Sequence, residues 1–215
     1  MKNFLIILAV SLSFLAVKCE TDSPKVSVAV KETFMEVGFV KAASLVSGFD
    51  HQYDSVRLLV TNETNGLQYT YKNSKPIFNN ISLSAGKYGF FIDTPDPKPI
   101  QHFMSFIGYK NDNTIIKGAN TILISIESKQ GLILVDKTSV TAAPTITING
   151  TPGIMSVSTN YYYAYVVPGA VTLSYQIGGT PIQMPVTVVA QKIYVLSAST
   201  GSINVNDPFI QVITI

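Results

Sequence analysis

Residues Val166–Ile177, reading VVPGAVTLSYQI, decide how this chain folds. A short apolar run meets a glycine-containing turn, and beyond it Val171, Leu173 and Tyr175 recur at every second position. A period of two carried by β-branched and aromatic residues is the mark of a half-buried strand. The same phrase stands earlier at Leu83–Thr94, LSAGKYGFFIDT, where Tyr88, Phe90 and Ile92 alternate after Gly86. The chain therefore reads as two copies of one β unit. Gly86 and Gly169 are its structural turns, where a positive φ would require glycine.

Working outward, each copy carries a hairpin signal ahead of that phrase: NETNG at 62–66 and NGTPG at 149–153. Asn-Gly is the dipeptide that tight hairpins favour. Gly86 and Gly169 lie 83 residues apart, whereas Leu123 and Tyr194 lie 71 apart, so the first copy holds 12 extra residues within 95–112. That segment opens with DTPDPKP, whose prolines cannot donate to a ladder. Lys25–Val30 reads as a first strand, Met35–Ala43 as a second, and Leu132–Val135 as the strand that closes the first copy. Strands at intervals of eight to twelve residues, with no helical period after the leader, point to an all-β chain. The expectation is two tandem antiparallel β-sandwich domains, Ig-like or transthyretin-like. Their limits are read as residues 25–138 and 145–215, with a linker at 139–144.

The order "FVKAAS … DSVRLLV … SLSAGKYGFFI … TIIKGANTILISI" resembles the bacterial extracellular repeat called domain of unknown function 4397. The second copy, "TITINGT … YVVPGAVTLSYQI … VTVVAQKIYVLSAS", is similar to it as well. The resemblance implies a surface β-sandwich and supplies no activity and no functional residues. Fimbrial-type surface lipoproteins share the same look.

The compartment is read from the first 19 residues. Lys2 precedes an apolar run, Phe4–Val17, that is too short to span a bilayer comfortably and has the build of a signal peptide. The chain's one cysteine, Cys19, stands where that run ends, ahead of a polar tether at 20–24. This placement resembles a lipobox, so Cys19 is the expected lipidation site. The membrane is then a partner through the lipid anchor. The location that follows is a bacterial cell envelope, with the outer membrane first and simple secretion second. A net charge of +2 with no basic run argues against nucleic acid as a partner.

Chemistry is sparse. Two histidines and one cysteine leave little for catalysis. His51, in FDHQYD, is expected in a solvated polar loop, and His102, in IQHFMSF, as a partly buried strand residue. Asp93 and Asp96 are read as turn-capping rather than calcium ligands. No G-x-S-x-G elbow is present, and no metal or cofactor is expected. Asn62, Asn80 and Asn149 fall in N-x-S/T sequons that matter only in a eukaryotic secretory pathway.

The aromatic run Tyr161–Tyr165 stands out. On a strand, Tyr161, Tyr163 and Tyr165 share one face: either the core takes them, or they form an exposed platform for a sugar or protein partner. The resulting expectation is a non-enzymatic surface protein that binds or scaffolds a glycan or protein, with those three tyrosines as the binding candidates. Two rival expectations are a pilus or fimbrial subunit built by strand addition, and a hydrolase with a distributed site.

Overall fold

The computed structural model describes residues 24–32, 46, 49–197 and 210–214. The leader, Cys19, most of the tether and the expected strand Met35–Ala43 lie outside these residues. The first copy contributes β1 (Lys25–Glu32), β2 (Val56–Asn62), β3 (Gln68–Asn73), β4 (Ile77–Ser82), β5 (Gly86–Asp93), β6 (Ile100–Gln101), β7 (Phe106–Ile115) and β8 (Asn120–Ser128). There follow β9 (Gly131–Asp136), β10 (Thr145–Ile148), β11 (Thr151–Ile154), β12 (Ser156–Val157), β13 (Tyr161–Val166), β14 (Gly169–Ile177), β15 (Thr180–Val188), β16 (Ile193–Ser197) and β17 (Ile210–Thr214). Apart from a three-residue 3-10 turn at Lys137–Ser139, the described residues contain no helix. The all-β expectation is met.

The duplication is visible in the hydrogen bonding. One sheet runs β3-β2-β5-β7-β8-β1-β4, and another runs β11-β10-β14-β15. The hairpin β2–β3 and its neighbours β5 and β7 thus recur, in the same order, as β10–β11, β14 and β15. The Asn149-Gly150 turn has positive φ at both residues, 49° and 80°, and joins Ile148 directly to Thr151. That is the type I′ geometry whose twist suits a two-residue hairpin. The alternating residues of both quoted stretches point inward: Tyr88, Phe90 and Ile92 from β5, and Val171, Leu173 and Tyr175 from β14, are all buried.

The copies divide at a different point from the one read in the sequence. β1 lies parallel to β8 and antiparallel to β4. β9 stands in the same relation to β16 and β13. Strand β9, expected to close the first copy, is therefore the opening strand of the second by its hydrogen bonds. Residues 137–144 carry the chain from β9 to β10 within that second copy.

Within the sheet β12-β13-β9-β16-β17, strands β13, β9 and β16 form a middle layer with core on both sides. Leu132, Leu134, Tyr161, Tyr163, Tyr165, Ile193 and Val195 join the core formed with β2, β4, β5, β7 and β8. The alternate residues Ile133, Val135, Ala164, Val166, Tyr194 and Leu196 join the core shared with β10, β14 and β15. Burying both faces explains why these strands read as unbroken apolar runs. At roughly 25 cal/mol per Å² of apolar surface, such a layer contributes heavily to stability.

The two turn glycines differ. Gly169 has φ +147° with open space where a Cβ would stand, so its backbone is what requires glycine. Gly86 lies outside the positive-φ region, and a Cβ there meets Tyr88 Cε2 at an ordinary 3.5 Å. The turn before it is held instead by Tyr88, whose hydroxyl donates to the Ser84 carbonyl at 3.1 Å. The positive-φ role expected of Gly86 is corrected accordingly.

Candidate functional site

The tyrosine platform is not on the surface. Tyr161, Tyr163 and Tyr165 are 3%, 6% and 1% exposed, which settles the choice of face in favour of the core. Their outer side is covered by the segment leading into β2. The Phe49 ring meets Tyr163 edge-on with centroids 5.2 Å apart and Tyr161 at 6.5 Å. Tyr53 meets Phe106 in the same manner at 5.9 Å. Edge-to-face pairs of this kind each add about 0.5–1.5 kcal/mol beyond area burial. Binding by these three tyrosines is therefore corrected to a packing role that joins a first-copy segment to the second copy's sheet.

His51 belongs to that same clamp and is buried, contrary to the solvated loop expected of it. Its Nδ1 shares a 2.6 Å hydrogen bond with the Tyr165 hydroxyl, which also accepts from the Gln52 backbone N–H at 3.3 Å. Burial drives the imidazole pKa down from 6.5 to about 3, so His51 is neutral at physiological pH.

His102 is likewise placed otherwise than expected: it is exposed, beyond the end of β6, and its Nδ1 contacts the Ser156 hydroxyl on β12. Ser156 also hydrogen-bonds Tyr163, whose phenol is pushed up by burial and pulled back by that bond. Hydrolysis by a serine–histidine–carboxylate triad requires all three groups within mutual reach. Of these, the described residues assemble the Ser156–His102 pair. Asp93 pairs with Arg57 through bonds of 2.8 and 2.5 Å, and Asp96 with Lys129 at 3.1 Å. Neither carboxylate joins a metal-ligating group among the described residues.

The feature that gathers functional chemistry is the insertion. Residues 94–105 separate β5 from β7, whereas only Gly178 and Gly179 separate their counterparts β14 and β15. The extra chain forms a strap across both copies. Its two-residue strand β6 pairs with β13, Ile100 opposite Val166 and Gln101 opposite Tyr165. Ile100 lies so close over Gly153 that a Cβ there would meet its Cδ1 at 2.5 Å. At the strap's base, buried Gln130 accepts at Oε1 from the Ser105 N–H (3.0 Å) and from Gln101 Nε2 (3.1 Å). The Gln101 side chain reaches Phe103 O and Ser105 Oγ as well. Val167 N–H donates to Pro99 O, and Met104 N–H donates to Gln52 O, tying the strap to the tyrosine clamp.

Held in this way, the strap walls a cleft of about 440 Å³. Asp54, Asp96, Lys98, His102 and Phe103 line it, and Phe103 is 40% exposed. The cleft offers a ring, an imidazole, an ammonium and two carboxylates within one concave surface. The 12-residue excess in the sequence was the signal for the strap. Nothing in the sequence foretold that it would cross to β13.

No family model matches the chain, and no curated protein was found to match it. Among solved structures it is similar to a fimbrial protein from Bacteroides ovatus at 11% identity and a TM-score of 0.44, over 90% of this chain and 50% of that one. It is similar to a candidate cell adhesion protein from Bacteroides uniformis at 11% identity and a TM-score of 0.45, over 89% and 92% of the two chains. A third likeness is to the fimbrial anchor protein from Porphyromonas gingivalis, at 7% identity and a TM-score of 0.34 over 77% and 82%.

Proposed function

We propose that this chain is an exported, non-enzymatic binding protein of a bacterial envelope, tethered through a lipid on Cys19, that engages a glycan or protein partner with its strap cleft. One observation carries the reading. The second copy completes the same strand order without the insertion, so the sandwich does not need residues 94–105. The first copy nevertheless fixes them with a buried glutamine network and aims Lys98, His102 and Phe103 at solvent around a cleft. Recognition residues on a loop held by a rigid sheet scaffold are the usual form of a binding site. The likeness of both copies to domain of unknown function 4397 belongs to the same reading and adds no ligand.

The test has two arms. Mass spectrometry of the mature N-terminus is expected to find an acylated Cys19; an unmodified N-terminus beyond residue 19 refutes the anchor. A screen of the mature chain against glycans and matrix proteins is expected to yield a partner whose binding falls in the Phe103→Ala and His102→Ala variants. Binding unchanged in both variants refutes the cleft.

Assembly by strand addition is a second reading, favoured by β17. That strand ends the middle sheet's order and pairs along one side with β16, leaving its other edge open among the described residues. An open edge is a template for a further strand. Concentration-dependent assembly in light scattering supports this reading, and a monomer at all concentrations removes it.

A further inference from the structure

We infer that the outward face of the β3-β2-β5-β7 sheet carries a separate carbohydrate site, a groove floored by Phe91 and Tyr109 that takes a neutral rather than an anionic sugar. The inference rests on the reading of the chain as a surface binding protein but uses none of the strap residues.

Strand register puts the aromatic pair together. Phe91 on β5 stands directly opposite Tyr109 on β7, with Leu59 of β2 on the other side of Phe91. Their inward neighbours Leu58, Phe90 and Ile92 fill the core, so alternation turns this row to solvent. Tyr109 is 72% exposed, the largest exposure among the described tyrosines and phenylalanines.

The next row provides the depth. Gly89 follows Thr61 across the sheet and has no side chain, and a Cβ there would stand 3.2 Å from Asn111 Oδ1 and 3.5 Å from Glu63 Oε1. The amide and the carboxylate thus lean over the glycine and wall a groove of about 530 Å³. A register shift in β7 opposite Gly89 brings Asp112 to the rim, where its N–H donates to Glu63 Oε1 at 2.9 Å. This bond holds the Glu63 carboxylate in place before any ligand arrives.

The chemistry selects the occupant. A pyranose presents an apolar C–H face, which matches an aromatic floor, and a rim of hydroxyls, which matches carboxylate and amide oxygens placed beside that floor. Charge narrows the class. The charged residues that line the groove are the carboxylates Glu63 and Asp112; of the cations on this face, Lys87 and Lys72 stand on the outward files of β5 and β3 outside that lining, and Arg57 is already committed to Asp93. The excess of carboxylate repels uronate and sulfate groups, so neutral and amine-bearing sugars are admitted and acidic ones are refused.

The experiment presents the purified mature chain with immobilised neutral oligosaccharides and with uronic-acid and sulfated counterparts, and follows hits by saturation-transfer NMR. Neutral sugars are expected to bind, and Tyr109→Ala is expected to weaken binding by roughly tenfold. Asn111→Ala provides a second variant: it removes the exposed amide that walls the groove, so it is expected to weaken the sugar while the thermal midpoint is kept. Neutral-sugar binding that falls in Phe103→Ala but survives Tyr109→Ala belongs to the strap cleft and overturns the groove assignment. Preference for acidic sugars, or neutral-sugar binding indifferent to both groove variants, overturns the inference. If no sugar binds while a partner still engages the strap cleft, the groove assignment falls and the scaffold reading stands. If neither surface binds anything, both fall.

Discussion

Lowering the pH from 7 to 5 should weaken this fold, and His51 is the group that makes it do so. In the folded chain its pKa is held at about 3 by burial beneath Phe49 and beside Tyr165, against an ordinary 6.5 once unfolded. Between those values the unfolded chain binds a proton that the folded chain refuses, so stability rises with pH across the window. The contribution is complete above pH 6.5, is lost as the pH falls, and levels off below 3. From 6.5 to 5 is one and a half pH units, and each unit is worth about 1.36 kcal/mol, so the loss on going from pH 7 to 5 is about 2 kcal/mol. Carboxylates with ordinary pKa values near 4 contribute little in that interval. Urea unfolding at both pH values measures it, comparing wild type with His51→Gln. The variant is expected to begin less stable, having lost a fitted ring, but to lose about 2 kcal/mol less on acidification. If wild type and His51→Gln fall by equal amounts, the imidazole is not held neutral by the clamp, and the reasoning fails.

Three further perturbations probe the same architecture. Tyr165→Phe removes the hydroxyl shared by His51 and the Gln52 N–H and should cost about 1–3 kcal/mol in urea unfolding; no change would mean that the clamp is held by ring packing alone. Gly169→Ala forces a side chain onto φ +147° and should cost roughly 1–3 kcal/mol, whereas Gly86→Ala should stay within about 0.5 kcal/mol. Equal effects at the two sites would refute the distinction between them. Gln130→Ala takes the acceptor away from Ser105 N–H and Gln101 Nε2; it should lower stability by about 1–3 kcal/mol and open residues 94–105 to limited proteolysis. A strap that stays protease-resistant would show that β6 alone anchors it.

The duplication was legible because half-buried strands announce themselves. In β5 and β14 every second residue is large and apolar, and the intervening positions are small or polar apart from Phe91. The middle sheet was not read as such because its strands lack that contrast. GLILVD, YYYAYV and IYVLS run apolar without interruption, as strands do when both faces meet a core. A reading that gives each strand one wet face must ask which tyrosines are outside, and for β13 the premise was at fault. The unbroken runs were themselves the available signal, and they also carried the true boundary between the copies, since β9 is one of them.

The candidate sites follow the same division between local and distant causes. The length of the insertion could be counted, because strand phrases flank it on both sides. Its route over β13 depends on contacts such as Gln101–Gln130 and Pro99–Val167, which no local pattern encodes. His51 looked solvated for a similar reason: FDHQYD is polar in itself, and its cover comes from Tyr165, 114 residues further on. The groove on the outer sheet is the opposite case. Phe91 and Gly89 lay in view on a predicted strand and Tyr109 within the counted insertion, but only the register Phe91↔Tyr109, and the shift in β7 that brings Asp112 to the rim, make them one surface. In this chain, then, buried tyrosines bind the two copies into one body and exposed aromatics are left to the strap and the outer sheet.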